Sequence, residues 1–480
     1  MPAEVFAVLM ILLPLLAAIV CMALKTIRGV GYCVAGGVSA AAACALLALT
    51  TQPAGLSFFN LDALASFHLM LLYLIFVLST AFAWGYFKHE IAAGELERRG
   101  VRRFGALWLA TLGALSLTLS CANLGLMWVG MEATTLATAF LISLHGGKGA
   151  LEAMWKYLML CSVGIALAFI GVLLLNAAST LGLSWKSLMA APGRLNPGLL
   201  KVSFVFVMIG YGTKAGLAPM HNWLPDAHSQ APAPVSAMFS GFMLNAALYC
   251  ILRHAGLTNA ALGSSAFTAP YFLGFGLISL MLAAAFLIFQ RDLKRLLAYC
   301  SVEHLGLICL GLGLGPLGTF AALLHTLNHS LAKASSFFSA GRLVQHAGSR
   351  AIQDLRGSLA TAPTWGLALV ASLLALAGCA PLAPFISELL LVKAALATKQ
   401  YLILALMLVA MLTAFVAMLY NAIELGWAPA AQAAVPACIT LAAKVFYLGL
   451  VFALLALGLW LPPELMQGLN RAARIAGGLP

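Results

Sequence analysis

The chain has 480 residues, 63% of them hydrophobic and 8% charged, with a mean hydropathy of +1.02. So little polar surface cannot solvate a globular chain of this length, which excludes a soluble globular protein. The net charge of +12 would suit nucleic acid, but its distribution along the chain argues for membrane topology instead.

Apolar runs of about 20 residues give roughly fourteen spans, so the fold class is all-α, a polytopic membrane protein. When Lys and Arg are assigned to alternate sides from an outside N-terminus, one side collects Lys25, Arg28, Lys88, Arg98, Arg99, Arg102, Arg103, Lys148, Arg291, Lys294, Arg295, Arg342, Arg350 and Arg356, and the other receives about half as many. The richer side is read as cytoplasmic, and both termini as outside. The first span is followed at once by a second and is read as a retained anchor. Ten cysteines are scattered singly without CxxC spacing, which suggests neither an iron–sulfur cluster nor a zinc site.

Spans one and two, about Val5 to Leu24 and Val30 to Leu49, carry no charge and read as scaffold. Span three begins with Asp62 and contains His68, both expected to be solvated near the outer end. Lys88 to Arg103 reads as a cytoplasmic loop with a helical surface piece. Span five holds a single charge, Glu132, in WVGMEATTLATAF. Span six carries Glu152 and Lys156 four residues apart, which favours an intrahelical pair as much as a Lys156 turned toward Glu132.

Span seven leads into IGYGTKAGLAPMHNWLPDAHSQAPAP, from Ile209 to Pro234. Helix-breaking prolines and charge at depth are tolerated in lipid only where they are buried in protein or line a polar cavity. Lys214 lies about 20 Å from the start of its span at 1.5 Å per residue, too deep to reach water along its own stem. Burial disfavours an ammonium and a nearby carboxylate favours it. Moving that carboxylate would make Lys214 bind or release a proton. His221, seven residues on, would share its face on an unbroken helix, as a proton relay or as a helix cap. Asp226 and His228 read as rim residues of the following loop, and Asn245 in span eight holds water but exchanges no proton.

Span ten carries Glu303 and His304. In span eleven, His325, His329 and Lys333 recur every four residues and so lie on one face, which points to a proton wire. Span twelve, CAPLAPFISELLLVK, is broken by Pro381 and Pro384 and followed by Glu388 and Lys393. Spans seven and twelve are five apart and run oppositely, as two inverted five-helix repeats require. The organisation predicted is residues 1–103 for spans one to three, 104–256 for one repeat, 267–425 for the inverted repeat, and 440–480 for the last span and tail.

The segments WVGMEATT, TKAGLAPMHNWLPDAHSQAPAPVSA, RDLKRLLAYCSVEHLGL, NHSLAKA and PFISELLL resemble the antiporter-like subunits of respiratory complex I, of multisubunit cation/proton antiporters and of membrane-bound [NiFe] hydrogenases. SVEHLGL and the lysine of WKY are most similar to the F-type membrane subunit of hydrogenase-4-like complexes. The resemblance implies that Glu132 pairs with Lys214, that Lys333 is the central lysine of the second half with His325 and His329 bridging toward it, and that Glu388 feeds an outer half-channel. Lys156 and His221 join this proton pathway, with Asn245, His228 and Lys393 as further candidates. Asn245 departs from the lysine or histidine of many complex I relatives.

The function so implied is a non-catalytic, proton-translocating subunit of a redox-driven complex in a prokaryotic cytoplasmic membrane, binding no cofactor or metal of its own. Its partners would be other antiporter-like subunits, a membrane anchor subunit and a peripheral redox arm carrying iron–sulfur clusters and a nickel–iron centre. A sodium/proton antiporter subunit, the membrane part of a bicarbonate-uptake module and a structural anchor are the alternatives.

Overall fold

A backbone in lipid must pair its own amides, so an apolar chain folds there as helices or a closed barrel. The computed structural model describes residues 2–50, 58–430 and 439–478. Among them the chain is helical, with only isolated bridges such as Phe59 to Cys121 between elements. In order run α1 (Pro2–Ala23), α2 (Ile27–Thr50), α3 (Ala63–Ala92), α4 (Arg98–Ser120), α5 (Leu124–Ile142), α6 (Lys148–Ala178) and the short α7 (Trp185–Ala190). The middle comprises α8 (Pro197–Ala215), α9 (Trp223–Gln230), α10 (Ala233–Met238), α11 (Leu244–Leu262), α12 (Ala269–Leu287), α13 (Leu293–Gly313) and α14 (Gly315–Ala347). The last part holds α15 (Ser358–Thr361), α16 (Pro363–Leu376), α17 (Ala383–Ala397), α18 (Tyr401–Trp427), α19 (Leu441–Leu459) and α20 (Pro463–Ala476).

Twelve described elements are long and apolar enough to cross a membrane, counting α8 with α9 and α10 with α11 as single spans. The more polar α14, 33 residues long, and the broken pair α16 and α17 complete the predicted set of about fourteen. The α10–α11 span is wholly enclosed by protein, whereas only 17% of the apolar window of α19 is buried. The polar helices thus stand inside and the purely apolar ones face lipid.

Both predicted breaks are present. α8 stops at Gly216, whose φ of 78° is left-handed, and Pro219 brings no backbone donor. The freed groups find side chains: the Trp223 indole donates to the Thr213 carbonyl at 2.9 Å, and the Ala218 amide donates to Ser279 Oγ at 2.9 Å. Between α16 and α17, Asn328 Nδ2 donates to the Ala383 carbonyl at 2.8 Å. Each break contains a cis X–Pro bond, Ala218–Pro219 and Ala380–Pro381. α6 and α8 cross where Gly164 faces Gly210, and a Cβ on Gly210 would collide with the backbone of Gly164 and Ala168. That close crossing brings Tyr157 of α6 to Lys214 of α8.

Two local expectations change. Lys88 to Arg103 is mostly helix: α3 runs on to Ala92 and α4 starts at Arg98, because Phe87, Val101 and Phe104 remain buried there. Glu90 in this segment is buried and hydrogen bonded to His145 Nε2 at 2.9 Å. Asp62 and His68 are not merely solvated. Asp62 caps α3 through the Ala65 amide and receives both guanidinium nitrogens of Arg253 at 2.5 and 2.7 Å, while His68 is buried against the Leu64 carbonyl. Arg253 is buried, stacks on Trp185 with 4.6 Å to the ring centroid, and also donates to the Tyr249 hydroxyl.

Removing one partner of a buried pair leaves the other charge uncompensated, at a cost of about 3–5 kcal/mol. Arg253→Met is therefore expected to lower the unfolding temperature of the purified protein in detergent by several degrees, and Asp62→Asn on that background to recover part of the loss. Equal melting of Arg253→Met and the unaltered protein would refute this role.

Candidate functional site

Ionisable groups collect along the buried middle of the protein in two clusters. The first surrounds Lys214, which is fully buried and donates to Thr135 Oγ1 and the Tyr157 hydroxyl, both at 2.7 Å. Tyr157 in turn meets Thr138 at 2.7 Å. Glu132 is half-buried on α5, one turn before Thr135, and its Oε2 has no protein partner. The expected Glu132–Lys214 pair does not close directly: two hydroxyls take the lysine's protons, with Thr135 on the Glu132 face of its helix.

Lys156 is not in this cluster. Its ammonium lies at the surface, 2.7 Å from Glu152 and 3.0 Å from Asp226, which also holds Arg295 at 2.9 Å. The intrahelical alternative holds, since a side chain one residue from Tyr157 points about 100° away around the helix.

His221 is buried on the single turn that follows the break in α8, with Nδ1 unpaired, so the face it would share with Lys214 on an unbroken helix is interrupted. His228, expected on a loop rim, is instead fully buried in α9 and stacked on Phe337 at 5.0 Å between centroids, with neither ring nitrogen bonded to protein. Asp226, two residues earlier, is the rim residue: alternate positions of a short helix face opposite ways.

Asn245 sits between the clusters. Its amide donates to Ser330 Oγ of α14 at 3.1 Å and to the Gly241 carbonyl at 3.2 Å, and its Oδ1 is unpaired. The preceding Phe239–Met243 turn is a π-helix, which carries Ser240 to 2.8 Å from Ser301 of α13.

The second cluster surrounds Lys333, fully buried, whose Nζ donates to the Leu297 carbonyl at 2.7 Å. His329, one turn back, packs its ring 5.1 Å from that of His304. His304 Nδ1 meets His325 Nε2 at 2.8 Å, and His325 Nδ1 meets Ser387 Oγ at 2.9 Å. The Glu303 carboxylate lies 3.4 Å from His304 Nε2. Glu388, one residue after Ser387, offers an oxygen within 4.8 Å of the facing nitrogens of His304 and His325. Glu388 and Glu303 line a cavity of about 300 Å³ between α17 and α18. Lys393, five residues beyond Glu388, is exposed and stands apart.

His304, His325 and Glu388, or Cys300, Glu303 and His304, are the described groups whose donor atoms could converge on a metal ion. In the first set the two imidazoles already engage each other. The hydrogen-bonded run from His304 through His325 to Ser387 ends beside Glu388, and it suits proton transfer because a neutral imidazole donates from one ring nitrogen and accepts at the other.

Sequence reasoning assigned no role to Tyr157, Thr135, Glu303, His304, Ser387 and Asn328. Glu303 and His304 were visible as adjacent ionisable residues inside an apolar span. The hydroxyls carried no signal, because serine, threonine and tyrosine in a membrane helix commonly bond their own backbone.

The model of the NADH:quinone oxidoreductase/Mrp antiporter transmembrane family matches residues 121–414. The chain is 37% identical over 420 residues to the Hydrogenase-4 component F homolog of Methylacidiphilum infernorum, covering 86% of this chain and 87% of the relative. It is 29% identical over 342 residues to Hydrogenase-4 component B of Escherichia coli, covering 68% of this chain and 49% of that longer relative. In fold it matches a chain of the archaeal membrane-bound sulfane sulfur reductase complex with a TM-score of 0.87 and 22% identity, covering 98% of this chain and 97% of the other.

Gly378, in the break before α17, has a φ of 75°, and a Cβ there would overlap the Glu388 carboxylate. Gly378→Ala is expected to displace that carboxylate and to lower modification of Glu388 by a hydrophobic carbodiimide severalfold, read by peptide mass spectrometry. Unchanged labelling would show that the glycine does not hold Glu388 in place.

Proposed function

Because the chain belongs to the NADH:quinone oxidoreductase/Mrp antiporter transmembrane family, we propose that it is the ion-translocating subunit of a redox-driven membrane complex and that the ion is a proton. The single observation carrying this reading is the pair of fully buried lysines, Lys214 and Lys333, each among exchangeable hydroxyl, imidazole or carboxyl groups. Intramembrane charge is costly and is kept where it works.

In this mechanism a charge change in a neighbouring subunit shifts Glu132. Its approach to Lys214 holds the ammonium form, and its retreat lets that proton leave through Tyr157 and Thr135. The field at His228, Asn245 and the Ser240–Ser301 pair then changes, and Lys333 exchanges its proton with His329, His304 and His325. Ser387 and Glu388 deliver it to the cavity beside α18. Water joins polar groups where no direct hydrogen bond does, as buried water commonly does. His221 sits on the branch leading from Lys214 past the broken helix, whereas Lys156 and Lys393 lie off the route.

The finer assignment is a hydrogenase-4-like complex, with iron–sulfur clusters and a nickel–iron centre in a peripheral arm joined through an anchor subunit, in a prokaryotic inner membrane with both termini outside. The two inverted repeats, residues 104–256 and 267–425, would be its two half-channels. Mass spectrometry of whatever co-purifies with the tagged chain in mild detergent tests this: a nickel–iron large subunit with iron–sulfur proteins supports it, and recovery of antiporter-type membrane subunits alone favours cation/proton exchange.

Lys214→Ala is expected to leave the complex assembled while reducing redox-driven proton uptake into proteoliposomes at least tenfold. Lys156→Ala is expected to retain more than half of it. Undiminished uptake in Lys214→Ala would make the chain an anchor.

A further inference from the structure

Away from this polar line, an apolar groove lies between α2, α3 and the first turns of α4. Its volume is about 640 Å³, within the range of small-molecule ligand cavities. Val34, Val38, Val77, Ala81 and Phe104 make its walls apolar, and Ser39 and Thr80 are its few neutral polar groups. Two cations, Arg28 at the start of α2 and Lys88 near the end of α3, stand at one end of it. Both are exposed, and neither has an ion-pair partner among the described residues. Tyr32 and Trp84 stack at the rim with 6.3 Å between centroids. Gly31 lies directly beneath the Trp84 ring, where any Cβ would overlap it, so the ring lies flat on α2.

We propose that this groove is a specific site for an anionic diacyl phospholipid, its phosphate held between Arg28 and Lys88 and an acyl chain laid along α2, α3 and α4. Charge complementarity selects that occupant. A purely apolar helix of another subunit would leave two unpaired cations at the headgroup level; a zwitterionic lipid brings a phosphate together with its own choline cation, which offsets the attraction, whereas a net-anionic headgroup answers both cations. The amphipathic Trp84 and Tyr32 rings stand where such residues meet lipid headgroups in membrane proteins. The site is independent of the ion pathway, so failure of either reading leaves the other standing.

The test is native mass spectrometry of the full chain with its co-purified partners, delipidated and titrated with dioleoyl phosphatidylglycerol or dioleoyl phosphatidylcholine. Phosphatidylglycerol is expected to be retained in preference. Arg28→Gln with Lys88→Gln is expected to weaken that retention about ten- to thirtyfold, taking the attraction as about one kcal/mol per basic residue, and to weaken phosphatidylcholine retention much less. Arg28→Lys with Lys88→Arg is expected to restore it, and Ala81→Trp, which fills the groove, to weaken both lipids. Equal retention of the two lipids, or phosphatidylglycerol binding indifferent to the charge variants, would overturn the proposal. So would a photo-reactive side chain in place of Trp84 that cross-links a neighbouring membrane subunit and no lipid in native membranes.

Discussion

An ammonium ion taken out of water must recover its lost hydrogen bonds from the protein or lose its proton. Lys214 and Lys333 are both fully buried, and the surrounding architecture answers that constraint. Lys214 is held by a threonine from α5 and a tyrosine from α6, while Lys333 is held by a backbone carbonyl of α13. Neither is locked to a carboxylate. Neutral acceptors stabilise the ion only modestly, and the proposed mechanism uses this: a small movement of a nearby charge would tip the balance between its two protonation states.

The same constraint explains the layering. Apolar helices such as α1, α18 and α19 form the lipid-facing shell, and the helices bearing histidine, lysine and glutamate sit within it. Both proline breaks fall where polar side chains from other helices take up the freed backbone groups. At the second break, Asn328 and Ser387, which reconnect α14 to α17, are also the neighbours of His325 and Glu388. Repair of the broken backbone and placement of the ionisable groups are thus one arrangement. Arg253 and Asp62 perform a separate task, tying the start of α3 to the middle of α11 away from the line.

The helices, the two breaks and the His325–His329–Lys333 stripe were legible in the sequence because each depends on local periodicity or on proline chemistry. What the sequence concealed is partnership across helices. Lys156 and Tyr157 are adjacent, yet the tyrosine reaches Lys214 and the lysine reaches Asp226, a choice set by the α6–α8 crossing at Gly164 and Gly210. His228 read as a rim residue because its neighbours in sequence are polar. Burial followed from the fold of the α9 segment back against α6 and α13, with His228 on Phe337 of α14, which no local pattern encodes. His304 became part of the histidine line only once α13 packed against α14.

The most direct measurement of the central claim is redox-driven proton movement by the purified complex in proteoliposomes carrying Lys333→Ala, with electron transfer followed in the same vesicles. The account predicts that electron transfer continues while proton movement through this subunit is lost. Proton movement per electron equal to that of the unaltered complex would contradict it.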